Sequence, residues 1–151
     1  MRAKRCITLA LVGLVFMQTG CASSVAPQVA AIGDQFEELD LGSLGDVACD
    51  HSYQPGLFDQ TGNEFRRQVS LADETLVPQV VQTIEDQGFV VSSQGQGRSG
   101  DVTVFDGPNE MTAGVSNVRA EFEGEVRPFY GSQSCTVPPG GLTVVSLILP
   151  K

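Results

Sequence analysis

The chain has no tryptophan, only two tyrosines, one histidine and two lysines, and each scarcity closes off a class of function. With His51 the sole histidine, any imidazole that activates a nucleophile or moves a proton must be that one. No serine sits in a G-x-S-x-G elbow, so a Ser–His–acid triad has nothing to stand on. Past residue 20 the only lysine is Lys151, against eighteen acidic residues. A chain so poor in cations lacks the surface that neutralises phosphates, which argues against nucleic acid and anionic lipid as partners. A long apolar run is missing too. Ile7 to Met17, broken only by Thr8 and Gly13, falls short of the ~20 residues a membrane-spanning helix needs. No internal repeat is visible.

The first residues read as a leader. Arg2, Lys4 and Arg5 precede the apolar run, and Gln18-Thr19-Gly20-Cys21-Ala22-Ser23 comes after it. A basic start, a short apolar stretch and a small-residue exit are the layout of a secretory signal peptide. Thr19-Gly20-Cys21 resembles the end of the lipobox of bacterial lipoproteins, with Gln18 standing where that pattern carries leucine. The resemblance implies that Cys21 receives a diacylglyceryl group and becomes the mature N-terminus. Two or three acyl chains, at ~0.8 kcal/mol per buried methylene, make a stable membrane anchor. Ala22 replaces the aspartate that holds enterobacterial lipoproteins at the inner membrane, so the resemblance points to the outer membrane, on its periplasmic side. Ordinary cleavage after Ala22, giving a soluble periplasmic or secreted protein, is the alternative. The expected organisation is a lipoprotein signal peptide over 1–20, a lipidated cysteine and tether over 21–28, and a single domain over 29–151.

Removing residues 1–20 removes three basic residues and no acidic one, which takes the formal charge from −9 to −12. That balance serves solubility, or a cationic partner. On that reading Cys6 would leave with the leader and Cys21 would be acylated, so Cys49 and Cys135 would remain as an even pair. In an oxidising compartment they are expected to form a disulfide. Closing so long a loop contributes ~4 to 5 kcal/mol in the chain-entropy model.

Val29, Ile32, Phe36 and Leu39 recur at helical spacing with acids between them, predicting a short amphipathic helix. Gly42 to Gly62, rich in Gly, Asp and Pro, reads as irregular structure pinned by Cys49. Phe65 to Leu71 reads as a first strand. The clearest helix puts Leu76, Val77, Val80, Val81 and Ile84 on one face, with Asp73 or Thr75 as N-cap and Gly88 as its stop. Phe89 to Ser93 and Asp101 to Phe105 come next as a hairpin, and Gly107-Pro108-Asn109 as a turn. Val118, Ala120, Phe122 and Val126 alternate with Arg119, Glu121, Glu123 and Glu125, predicting one long half-buried strand. Leu142 to Leu149 suits a central strand covered on both faces. About five mostly antiparallel strands with one main helix predict a two-layer α+β domain; a β-sandwich with one helix is the alternative.

Three patterns carry potential chemistry. Gly95 to Gly100 fits G-x-G-x-x-G, but a dinucleotide site needs a helix next, to aim its free N–H groups at pyrophosphate. Instead Val102-Thr103-Val104-Phe105 alternates like a strand, so the motif reads as a hairpin loop. Cys49, His51 and Cys135 offer at most three metal ligands where structural zinc takes four, so the disulfide is preferred and no metal or cofactor is expected. Glu121, Glu123 and Glu125 would lie ~6.6 Å apart along one strand face, a spacing that touches the range for paired glycosidase carboxylates. The commoner meaning is a solvated face, and with Arg119 they form a possible partner-binding face. The helix ending at Gly88-Phe89 and running into Val90-Val91 resembles small lipoproteins of outer-membrane assembly and conjugal-transfer machines. With no catalytic residue set identified, the expected function is non-catalytic: an anchored accessory that binds an envelope protein. An acidic inhibitor or binder of a cationic protein or peptide is the alternative, and a hydrolase a distant third.

Overall fold

The structure is a computed structural model that describes residues 26–56, 64–129 and 133–150. The leader, Cys21 and the tether up to residue 25 lie outside the described residues. Two helices cover one face of a six-stranded sheet in a two-layer α+β arrangement. The strands are β1 (Val47–Tyr53), β2 (Glu64–Leu71), β3 (Val90–Gln96), β4 (Asp101–Asp106), β5 (Thr112–Val118) and, after a two-stranded ribbon of β6 (Val126–Pro128) and β7 (Ser134–Thr136), β8 (Leu142–Pro150). They lie in the order β1-β2-β8-β5-β4-β3, and every pairing is antiparallel.

The last strand therefore sits at the centre, slotted between β2 and β5. Val145 stands opposite Val69 on one side and Val115 on the other, a β-branched row across three strands. Its alternate residues face opposite layers: Val145, Leu147 and Leu149 join the helix-side core, Leu142 and Val144 the other side. Burial on both faces explains its near-continuous apolar sequence.

Helix α1 (Pro27–Leu39) starts with Pro27 in its first turn, where the missing N–H leaves nothing unpaired. Ile32, Phe36 and Leu39 form its buried stripe, and it packs on β2 and β8. Helix α2 (Val77–Asp86) packs on β5 and buries Val80 and Ile84 completely. Each such side chain contributes about 1.5–3 kcal/mol of burial. Asp73 accepts a hydrogen bond from the Thr75 backbone N–H at 2.8 Å and caps the 3-10 turn that leads into α2. Gln87 ends the helix, and Gly88 comes next at φ +84°.

On the helix-free face, the β6–β7 ribbon lies over one end of the sheet. Cys135 and Val137 pack with Val118, Leu142 and Val144 into a second, smaller core. A Cys49–Cys135 disulfide joins β1 to β7, with Cα atoms 6.1 Å apart, within the usual span of such bonds.

Three elements differ from the sequence reading. Residues 47–53 form strand β1 rather than irregular structure, recruited by pairing with β2. The long strand across Arg119, Glu121, Glu123 and Glu125 is broken. After Val118 the chain makes a 3-10 turn over Ala120–Phe122 and then a bend at Gly124, whose φ of +79° a strand does not take. The Glu74 carboxylate accepts from the Ala120 N–H at 3.0 Å and holds that departure in place. Finally, both helices fall where their spacing predicted them, but eight strands stand where about five were expected. No helix among the described residues is long and apolar enough to cross a membrane.

Candidate binding groove

The helix-free face is built from the strand positions that alternate away from the helices. On β2 these are Arg66 and Gln68, on β5 Ser116, on β8 Val144 and Ser146, and on β4 Val102. Two walls rise from this floor. One is the β3–β4 loop, residues 97–100. The other is the ribbon, with Arg127, Pro128 and Phe129. Between them lies an open groove of about 590 Å³.

The walls are fastened by polar contacts. Arg127 reaches across the end of the groove and donates from Nη1 to Ser99 Oγ at 3.1 Å. Its Nη2 pairs with Glu125 at 2.9 Å, and its guanidinium lies 4.5 Å from the centre of the Phe122 ring. The Nε of Arg127 is buried and has no hydrogen-bond partner among the described residues. The loop is tied down by the Arg119 N–H, which donates to the Ser99 carbonyl at 3.3 Å, and by the Asp101 N–H, which donates to Asn117 Oδ1 at 2.7 Å. Gly100 is required here, because a Cβ would overlap the side chain and carbonyl of Asn117.

The charge at the groove is opposite to that of the molecule. Arg66, Arg98 and Arg127 line it, and among the described residues no aspartate or glutamate does. Arg66 pairs with the exposed Glu64 at 2.7 Å. Arg98 makes no ion pair or hydrogen bond among the described residues.

Of the residues marked by sequence, Cys49 and Cys135 are joined to each other, so neither thiol is free to ligate a metal. Among the described residues, no group of three or more His, Cys, Asp or Glu could hold an ion. His51 lies beside the groove on β1, its ring 5.1 Å from that of Phe129 and its Nε2 buried without a partner among the described residues. Gly95 to Gly100 closes the β3–β4 hairpin and leads into a strand, as its context required. Arg119, Glu121, Glu123 and Glu125 share no strand face. Arg119 pairs with its neighbour Glu121 at 3.2 Å in an exposed pair, while Glu125 belongs with Arg127. Cys21 lies outside the described residues.

The groove itself escaped the sequence reading. The available signal was small polar residues at alternate positions of three strands, Arg66-Gln68-Ser70, Thr112-Gly114-Ser116 and Ser146, opposite apolar ones. That pattern marks a sheet face with no helix over it. No protein-family model matches the chain, and neither a curated protein nor a solved structure matches it.

Proposed function

We propose that this chain is an envelope lipoprotein, held in the outer membrane through an acylated Cys21 and facing the periplasm, that works by binding rather than catalysis. It serves as an accessory to a larger envelope complex, and the helix-free face of its sheet is where the partner sits. The observation that carries this reading is the open groove with walls fixed by Arg127–Ser99 and by the Cys49–Cys135 bond. A preformed concavity loses little entropy on binding. The disulfide supports an oxidising, exported setting. A tether from the membrane would raise the effective concentration of a partner near the bilayer without any new contact.

A photo-crosslinking residue at Ser116, on the groove floor, tests this in intact cells. The expected result is a discrete crosslinked product that is absent when the residue stands at the exposed Gln79 of α2. Filling the groove with Ser146→Tyr should abolish it. Crosslinks from Gln79 but not Ser116 would move the interface to the helical layer and overturn the reading. The anchor has its own test: Cys21→Ser should eliminate acyl labelling, and a wild-type chain that takes up no acyl group defeats it. The acidic balance alone would favour a cationic partner, but three arginines at the groove make this face a poor one for it. A partner held by long-range charge should be released as salt screens it.

A further inference from the structure

We infer that the groove on the helix-free face binds an organic anion of one or two charges carried on an apolar body, a carboxylate above all. The inference rests on the reading of this face as the binding face and gives the ligand its chemistry.

Charge is the first argument. Acidic residues outnumber basic ones three to one past residue 20. Yet three of the five arginines in that region converge on one groove whose lining contains no carboxylate among the described residues; Glu64 and Glu125 pair with two of them, and Arg98 is left without an ion pair there. A solvated face of this protein would carry acids. The second argument is unmet hydrogen-bonding capacity. Arg127 is fixed by Ser99, Glu125 and the Phe122 ring, so its orientation is set before any ligand arrives. Its Nε is a buried donor with no acceptor among the described residues, a costly arrangement in the free protein. Arg98 stands on the opposite wall with its donors unused among the described residues. A planar guanidinium matches a carboxylate through paired N–H donors, and two such groups on facing walls give the site a direction.

The rest of the lining sets the ligand's body. Val102, Val118, Val144 and Phe129 give apolar contact, while Gln68 and Ser146 are neutral and able to orient a polar group. About 590 Å³ falls within the range of small-molecule sites. The molecule's overall charge then limits the ligand's. A polyanion such as nucleic acid or an anionic bilayer meets the repulsion of the whole surface, whereas a small anion inside the groove lies within a Debye length, ~8 to 10 Å, of the arginines. Two sources share this chemistry: a free organic acid, or a carboxylate presented by a partner's chain.

The test is titration of the full chain, in detergent, monitored by backbone amide shifts. The probes are phenylpropionate, its neutral amide, a short peptide with a free C-terminal carboxylate, the same peptide amidated, inorganic phosphate, and phosphatidylglycerol vesicles. Phenylpropionate or the free-acid peptide should shift residues 97–100, Ser116 and Ser146, with the amide forms at least about tenfold weaker, the loss expected for a charge-assisted pair. Binding by the small acid identifies a free ligand; binding by the peptide alone identifies a partner's carboxylate. Arg98→Gln, which removes no hydrogen bond or ion pair among the described residues, should weaken binding by about tenfold, and Ser146→Glu should abolish it. Arg67→Gln, on the helix-facing side, should change nothing. No shift with either carboxylate overturns the inference, as does binding that survives both groove variants unchanged. Phosphate binding as well as the acids removes the apolar body, and vesicle binding lost in Arg98→Gln without carboxylate binding replaces the ligand with a lipid surface. If the Ser116 crosslink persists while no carboxylate binds, the face remains a docking surface and only the anion falls.

Discussion

Asp73 shows how much one side chain fixes when its partners are local. Its carboxylate accepts from the Thr75 hydroxyl at 2.7 Å and from the Thr75 backbone N–H at 2.8 Å, and these bonds hold its pKa below the ordinary 3.8. The hydroxyl bond is the larger cause. Because the folded pKa is the lower one, the stabilisation is complete above the ordinary value and is lost as pH falls through the depressed one. An NMR titration of the Asp73 carboxyl should therefore give a midpoint below 3.8. Asp73→Ala should melt earlier than wild type at neutral pH, and the gap should close in strong acid. An equal gap at both pH values would mean that the charge is irrelevant to the cap. A cap at Asp73 was legible because donor and acceptor are two residues apart, although it closes the 3-10 turn over Glu74–Leu76, and α2 itself starts from Leu76 without a side-chain cap. Arg67 was not: its paired bonds to Asp50, at 3.0 and 2.7 Å, raise its pKa, and its guanidinium stacks 5.0 Å from Phe36 of α1. Both partners arrive only with tertiary structure.

The same division runs through the elements. Helix α2 and strand β8 declare themselves because burial writes a period into the sequence: 3.6 residues for Val77, Val80 and Ile84, and an unbroken apolar run where both faces are covered. Strand β1 carries no such pattern, being an edge strand whose residues are exposed or half-buried along its length. Pairing with β2 and the bond through Cys49 place it, and neither leaves a local trace. The stretch after Val118 misled for the opposite reason. It alternates like a strand, yet the Glu74 bond to Ala120 and the left-handed Gly124 turn it aside. The groove depends on that turn, because it delivers Arg127 to the wall. For the legible elements the energetic expectation is direct. Ile84 is fully buried against the sheet, so Ile84→Ala should cost about 2–5 kcal/mol, a fall in melting temperature of roughly 10 °C. A loss below about 1 kcal/mol would mean that α2 does not close the core.

At the scale of the whole molecule, the Cys49–Cys135 bond has two separable effects. It joins residues 86 apart in sequence, so in the unfolded chain it removes entropy worth ~4 to 5 kcal/mol in the chain-entropy model. That effect is global, and every structural probe should register it alike. The second effect is local. The ribbon of β6 and β7 packs on a small cluster of Val118, Val137, Leu142 and Val144, apart from the main core beneath the helices. Without the bond, the ribbon keeps that cluster and the Arg127–Ser99 contact but loses its covalent link to β1. Paired replacement by serine should therefore lower the melting temperature seen by any probe. It should also raise amide exchange in 126–128 and 134–136 beyond the increase seen in β8. Since Arg127 and Phe129 form one wall of the groove, ligand-induced shifts at Ser116 and Ser146 should shrink in the same variant at temperatures where the sheet is intact. Uniform exchange across ribbon and sheet would mean the bond acts only through the unfolded chain. Rapid ribbon exchange with undiminished groove binding would show that the wall is not needed to hold the ligand, and would leave the site to Arg66, Arg98 and the sheet floor.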